Sequence, residues 1–149
     1  MRDIDKELFA AAKSGGADAV AELLARGANA KVADFMGVTP LMVAVLRDHV
    51  RCVELLLPVS DAKAVDEEDA SALIYVSQHM RLDCAKALVA ASDVDQRDAE
   101  GRTAMDHAKG WGDVELLGLL EACRLAQMEA KELASAAHAS GHATPASRL

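Results

Sequence analysis

Apolar residues along this chain gather in short amphipathic stretches, and polar, turn-forming residues separate them. Pairs of large apolar residues mark the stretches: Leu23-Leu24, Leu56-Leu57, Leu88-Val89 and Leu119-Leu120. The pattern predicts helix pairs over about 4–13 and 17–26, 40–47 and 50–57, 72–79 and 82–90, and 104–110 and 113–121. Between them, the segments around 29–38, 61–70 and 93–102 predict projecting turns. Residues from Glu121 to about Ala137 favour helix, with Cys123, Leu125, Met128 and Leu133 as apolar members. That stretch can extend the last helix or fold back over the end of the array. From Gly141 onward the composition predicts a disordered end.

The turn segments repeat. Asp34, Asp66 and Asp98 each open one, at a constant step of 32 residues. The first runs Asp34-Phe35-Met36-Gly37-Val38-Thr39-Pro40-Leu41-Met42-Val43-Ala44. Asp66-Glu67-Glu68-Asp69-Ala70-Ser71-Ala72-Leu73 and Asp98-Ala99-Glu100-Gly101-Arg102-Thr103-Ala104-Met105 follow it in phase. Thr39, Ser71 and Thr103 stand where a helix takes a hydroxyl cap, and Pro40 stands where its first turn tolerates proline. Repetition at this period implies stacked small units, none of which buries its apolar face without a neighbour.

These residues resemble the ankyrin-repeat family, whose motif runs D-x-x-G-x-T-P-L-H-x-A, then a Gly-His turn, a second helix with paired Leu, and a Gly-Ala loop. Asp34, Gly37, Thr39-Pro40-Leu41 and Ala44 match it nearly in full, and Asp98, Gly101, Thr103 and Ala108 match it again. An amino-terminal unit fits the second half through Ala11-Ala12, Gly15, Leu23-Leu24 and Gly27-Ala28-Asn29. The resemblance covers residues 5–121 and implies an all-α solenoid of stacked helix-turn-helix units with projecting turns. Its units are about 1–33, 34–65, 66–97 and 98–121, with a helical extension over 122–149 that ends in the disordered tail. The family's His is replaced by Met42, Ile74 and Asp106, so the units are expected to be held mainly by apolar packing. The inter-helix Gly is kept at Gly15 and Gly112 but replaced by Asp48 and Met80, and Met80 is the strained candidate. The third unit departs furthest from the motif.

Composition agrees. The chain is 52% hydrophobic but 3% aromatic, so its core is Ala, Leu and Val. The net charge of −8 is uneven: residues 1–33 are neutral, 34–65 carry −1, 66–97 carry −4 and 98–149 carry −3. An acidic chain repels phosphate backbones, which disfavours nucleic acid as a partner. It also serves solubility.

The amino terminus has no apolar segment of the signal-peptide kind, and no apolar run approaches the ~18–20 residues that span a bilayer. A cytoplasmic location without membrane contact is expected. Cys52 and Cys84 share a phase on consecutive second helices. Stacked helices lie about 8–10 Å apart, beyond the ~7 Å between Cα atoms that a disulfide spans. They read as small buried apolar residues, and Cys123 as partly exposed.

No phosphate-binding glycine loop or nucleophile elbow is present. His49 falls where the family often has a His after the inter-helix turn, a structural position. His107 reads as a packing or capping residue. His79 with Cys84 makes a poor base and nucleophile, because Cys84 should point into the stack. His138 and His142 have helical spacing, but nothing completes a metal site around them. The expectation is therefore no enzyme, no metal and no cofactor.

Binding is favoured, and the resemblance implies where. In this family partners are gripped by the projecting turns and the exposed side of the first helices. Carried over by phase, those positions are Phe35, Met36, Val38, Leu46 and Arg47 in the second unit. They are Glu67, Glu68, Ala70, Gln78 and His79 in the third, and Ala99, Glu100, Arg102, Gly110 and Trp111 in the fourth. Aromatic residues, Met and Arg are enriched at interface centres. Two alternatives stand beside this: Trp111 covering the end of the stack, and Phe35 and Met36 packing on the amino-terminal unit's loop. The expected partner is another protein with an apolar knob flanked by Lys or Arg. The module is then an adaptor or scaffold, or alternatively an inhibitory, immunity-type protein that covers a partner enzyme. A monomer is expected, with the tail helix as the one element that could pair with a second copy.

Overall fold

Hydroxyl caps start the three later units. Thr39 Oγ1 accepts from the Met42 N–H at 3.3 Å, Ser71 Oγ from Ile74 at 3.4 Å, and Thr103 Oγ1 from Asp106 at 3.2 Å. Each satisfies a donor that the first helical turn leaves unpaired. In a computed structural model that describes residues 1–142, these caps open α3 (Pro40–Leu46), α5 (Ala72–His79) and α7 (Ala104–Trp111). The first unit opens with α1 (Asp3–Ser14). A second helix follows each: α2 (Ala17–Ala25), α4 (Val50–Leu56), α6 (Leu82–Leu88) and α8 (Val114–His142). Among the described residues the fold is these eight α-helices with no strand, an all-α repeat architecture.

The helices form two rows. α1, α3, α5 and α7 stack in one, and α2, α4, α6 and α8 in the other. Leu8, Leu41, Leu73, Val20, Val53, Leu88, Leu116 and Leu120 are buried between and within the rows. Cys52 and Cys84 are fully buried free thiols in this core. Burial first, and then the Asp48 carboxylate that Cys84 Sγ approaches at 3.5 Å, push the Cys84 thiol up to about 12. A thiol so protonated is a poor nucleophile.

The stack declares its end by a change of residue. Val45 and Ser77, one repeat apart, are fully buried. Lys109 holds the same phase in the last unit and is exposed. Terminal units of solenoids need such a polar outer face.

Where the helices turn, the backbone goes left-handed. Asp48 has φ 61° and Met80 has φ 54°, so the strain expected at Met80 is present. Gly15, at φ 81°, is also a contact requirement: a Cβ there would lie 2.7 Å from the His49 ring. His49 Nε2 in turn lies 3.1 Å from the Lys13 carbonyl at the end of α1, the structural role its position implies.

Two boundaries differ from expectation. α4 and α6 stop at Leu56 and Leu88 and continue as single 3-10 turns, Leu57–Val59 and Val89–Ala91. Pro58, which lacks an N–H, breaks the first ladder. At the carboxyl end α8 runs unbroken for 29 residues, so the stretch after Glu121 extends the last helix, one of the two outcomes expected. Gly141 and His142 belong to it, contrary to the disorder expected from Gly141; the rest of that expectation, residues 143–149, lies outside the described residues. Three contacts lay α8 along the third unit. Gln127 Nε2 donates to the Ser92 carbonyl at 2.8 Å, Arg124 Nε lies 3.2 Å from Asp95 Oδ1, and Cys123 Sγ lies 3.2 Å from the Val89 carbonyl.

Candidate protein-binding surface

The projecting turns are built by their aspartates. Asp34 Oδ1 accepts from the N–H groups of Met36 and Val38 at 2.9 and 3.0 Å. Asp66 Oδ1 accepts from Glu68 and Ala70 at 2.9 and 3.0 Å, and Asp98 Oδ1 from Glu100 and Arg102 at 3.1 and 2.9 Å. Short polar side chains that hold their own following backbone in this way favour tight turns. The backbone then closes each turn, with Asp34 N–H donating to Val38 O, Asp66 to Ala70 O and Asp98 to Arg102 O.

Adjacent turns are zipped together. The Glu67 N–H donates to the Met36 carbonyl at 3.0 Å, and the Ala99 N–H to the Glu68 carbonyl at 2.8 Å. Gly37, at φ 79°, sits so close to the next turn that a Cβ would meet Asp66 Cα at 2.9 Å. The turns therefore form one continuous edge.

Side chains from the first helices brace this edge. The Tyr75 hydroxyl donates to Asp66 Oδ2, and His107 Nε2 lies 2.7 Å from Asp98 Oδ2. Burial and then the Asp66 carboxylate push the Tyr75 hydroxyl well above its usual range. Burial pushes the Asp98 carboxyl up, but the Arg102 N–H, His107 and the Arg102 guanidinium outweigh it and hold the carboxyl below its ordinary value. Tyr75 and His107 stand one position beyond the family's missing His, and each anchors the turn of its own unit.

The expected partner-binding residues fall as follows. Phe35 is 88% exposed at the tip of the first projecting turn, with Met36 46% exposed beside it. Val38, Leu46 and Gln78 are half-buried, while Arg47, Glu67, Glu68, His79, Ala99, Glu100, Arg102 and Gly110 are exposed. Trp111 is 60% exposed at the end of α7. Ala70 is the correction: it is buried and belongs to the hydrophobic core. The Tyr75 and His79 rings stack with centroids 6.4 Å apart, and burial followed by the Arg81 charge lowers the His79 pKa. Arg102 spans Asp98 at 3.4 Å and Glu100 at 3.1 Å.

Three residues of this surface escaped the sequence reading. Tyr75 shares its phase with His107, but its reach to Asp66 shows only in the folded unit. Phe9 and Lys13 gave no signal, because the amino-terminal unit matches only the second half of the motif. With Asp34, Val43, Leu46 and Arg47 they line a hollow between α1 and α3. Among the described residues no group of three or more His, Cys, Asp and Glu side chains forms a metal site. His138 is exposed on α8. Among the same residues no helix is long and apolar enough to cross a membrane.

Paired helices in two rows with an edge of interlocked turns define a stacked helix-turn-helix repeat protein. Residues 6–64 match the family model described as ankyrin repeats (3 copies), and the later helices continue the same arrangement. The match supports an ankyrin-repeat protein. Ankyrin repeats are in general protein–protein interaction modules and typically non-catalytic. No curated protein matches the chain.

Proposed function

We propose that this protein binds one specific protein partner through its projecting turns and the exposed side of its first helices. The observation that carries the reading is Phe35, a large aromatic side chain 88% exposed at a turn tip. Exposed apolar residues standing singly are ordinary, but Met36 and the half-buried Val38 adjoin it. The turn itself is rigid, held by Asp34 and zipped to the next, so Phe35 can dock without a large ordering cost. Glu67, Glu68 and Glu100 follow along the same edge. A partner that fits has an apolar knob flanked by Lys or Arg. The reading places the protein in the cytoplasm, where its three thiols stay reduced.

Affinity capture from the source cell's lysate, with the wild type beside a folded Phe35→Ala/Trp111→Ala variant, tests this. The expected result is one near-stoichiometric partner that the variant fails to retain. Its identity separates an adaptor from an inhibitor of that partner. Equal capture by both proteins would make the two aromatics structural and sink the assignment.

A further inference from the structure

The first-helix side of the surface is not uniform. The hollow between α1 and α3 has a volume of about 390 Å³, enough for one large side chain. Phe9, Val43 and Leu46 line it, and all three are half-buried and stand outside the hydrophobic core. Apolar groups held at a surface in this way have a lining to offer and no intramolecular occupant. Lys13 and Arg47 stand at the rim, both exposed. Neither side chain has an ion-pair partner among the described residues, where most other arginines are paired. The one rim carboxylate, Asp34, is engaged by two backbone N–H groups. In a chain of net charge −8 this hollow is locally cationic.

We infer that the hollow receives an apolar side chain from an acidic segment of the partner protein, whose neighbouring Asp or Glu pairs with Arg47 and Lys13. The inference rests on the proposed partner-binding role and gives it polarity. A guanidinium takes a carboxylate through two parallel hydrogen bonds, so Arg47 fixes where the acidic residue lies. The carboxylates Glu67, Glu68 and Glu100 lie on the turns of the later units. The partner segment therefore lies with its acidic, apolar end over α1 and α3 and its basic end toward the third and fourth turns. Charge complementarity of this kind sets register and orientation more than raw affinity.

A displayed library of random peptides, selected on the full chain, tests it. Enriched synthetic peptides are then measured by fluorescence anisotropy on the wild type, on Lys13→Glu/Arg47→Glu and on Phe35→Ala/Glu67→Lys. The expected peptides carry Phe, Leu or Met next to Asp or Glu, and reversing the two rim charges weakens them about tenfold or more. Arg47→Met, which removes one charge without reversing it, gives a smaller loss in the same direction and guards against misfolding of the double variant. Peptides without an acidic residue, or binding indifferent to Lys13 and Arg47, overturn the inference. If binding then depends only on Phe35 and Glu67, the partner-binding role stands and the hollow's part in it falls. Failure to enrich any peptide counts against both.

Discussion

His107 Nε2 lies 2.7 Å from Asp98 Oδ2, and both side chains are buried. The pair joins the helix of the last unit to the turn that the unit projects. Removing the imidazole strands a buried carboxylate that keeps its backbone donors but loses its helix anchor. His107→Ala should therefore cost about 1–3 kcal/mol, the penalty of unpairing a buried polar group. Urea unfolding checks this, and the loss should appear in the midpoint. His107→Tyr, which installs the residue found one repeat earlier at Tyr75, should recover part of it.

The same carboxylate gives a pH dependence. Asp98, Asp5 and Asp106 are all held below the ordinary carboxyl value of 3.8. For Asp5 the leading cause is the Arg2 guanidinium, and for Asp106 it is the Thr103 N–H. A depressed carboxyl binds its proton more readily in the unfolded chain, so it stabilises the fold above that value. The contribution is lost as pH falls through the lower folded values. Thermal midpoints should fall most steeply below about pH 4, and Asp98→Asn should flatten that fall.

Met80 occupies a left-handed position at φ 54° with its side chain half exposed. Met80→Gly should stabilise the protein by up to about 1 kcal/mol, the relief of backbone strain less the entropy that glycine adds to the unfolded chain. Met80→Val should do the opposite. A pair of urea curves decides it.

Gly37 makes the converse prediction. Its φ of 79° and the 2.9 Å approach to Asp66 Cα leave no room for a methyl group, and the obstacle is backbone. Gly37→Ala should cost about 1–3 kcal/mol. It should also speed amide exchange at Glu67, whose N–H bonds to the Met36 carbonyl.

These cases divide what the residues announce from what they hide. The 32-residue step and the Thr39-Pro40-Leu41 motif were enough to find every helix pair, because caps and apolar spacing act locally. The exposure of Phe35 and Trp111 also followed from phase. The bracing of Asp66 by Tyr75 and of Asp98 by His107 did not, since it depends on how far a side chain reaches across a folded unit. Ala70 misled because its phase is shared by Val38 and Arg102, and only the packed fold shows that its small side chain joins the core. The length of α8 was legible in part: residues 121–137 favour helix and no Pro interrupts 114–142, but the choice between extending and folding back depends on contacts with the third unit. The hollow at Phe9 and Leu46 needs two helices side by side before it exists at all.

The central claim is that the partner meets the edge of turns and the first helices, and not the outer row. A photoreactive benzoyl-phenylalanine installed at Phe35, and in a second protein at the exposed Glu54 of α4, tests it most directly. After illumination in lysate, position 35 should yield one discrete crosslinked protein and position 54 none. The same crosslinked protein appearing from position 54, with position 35 silent, would contradict the account.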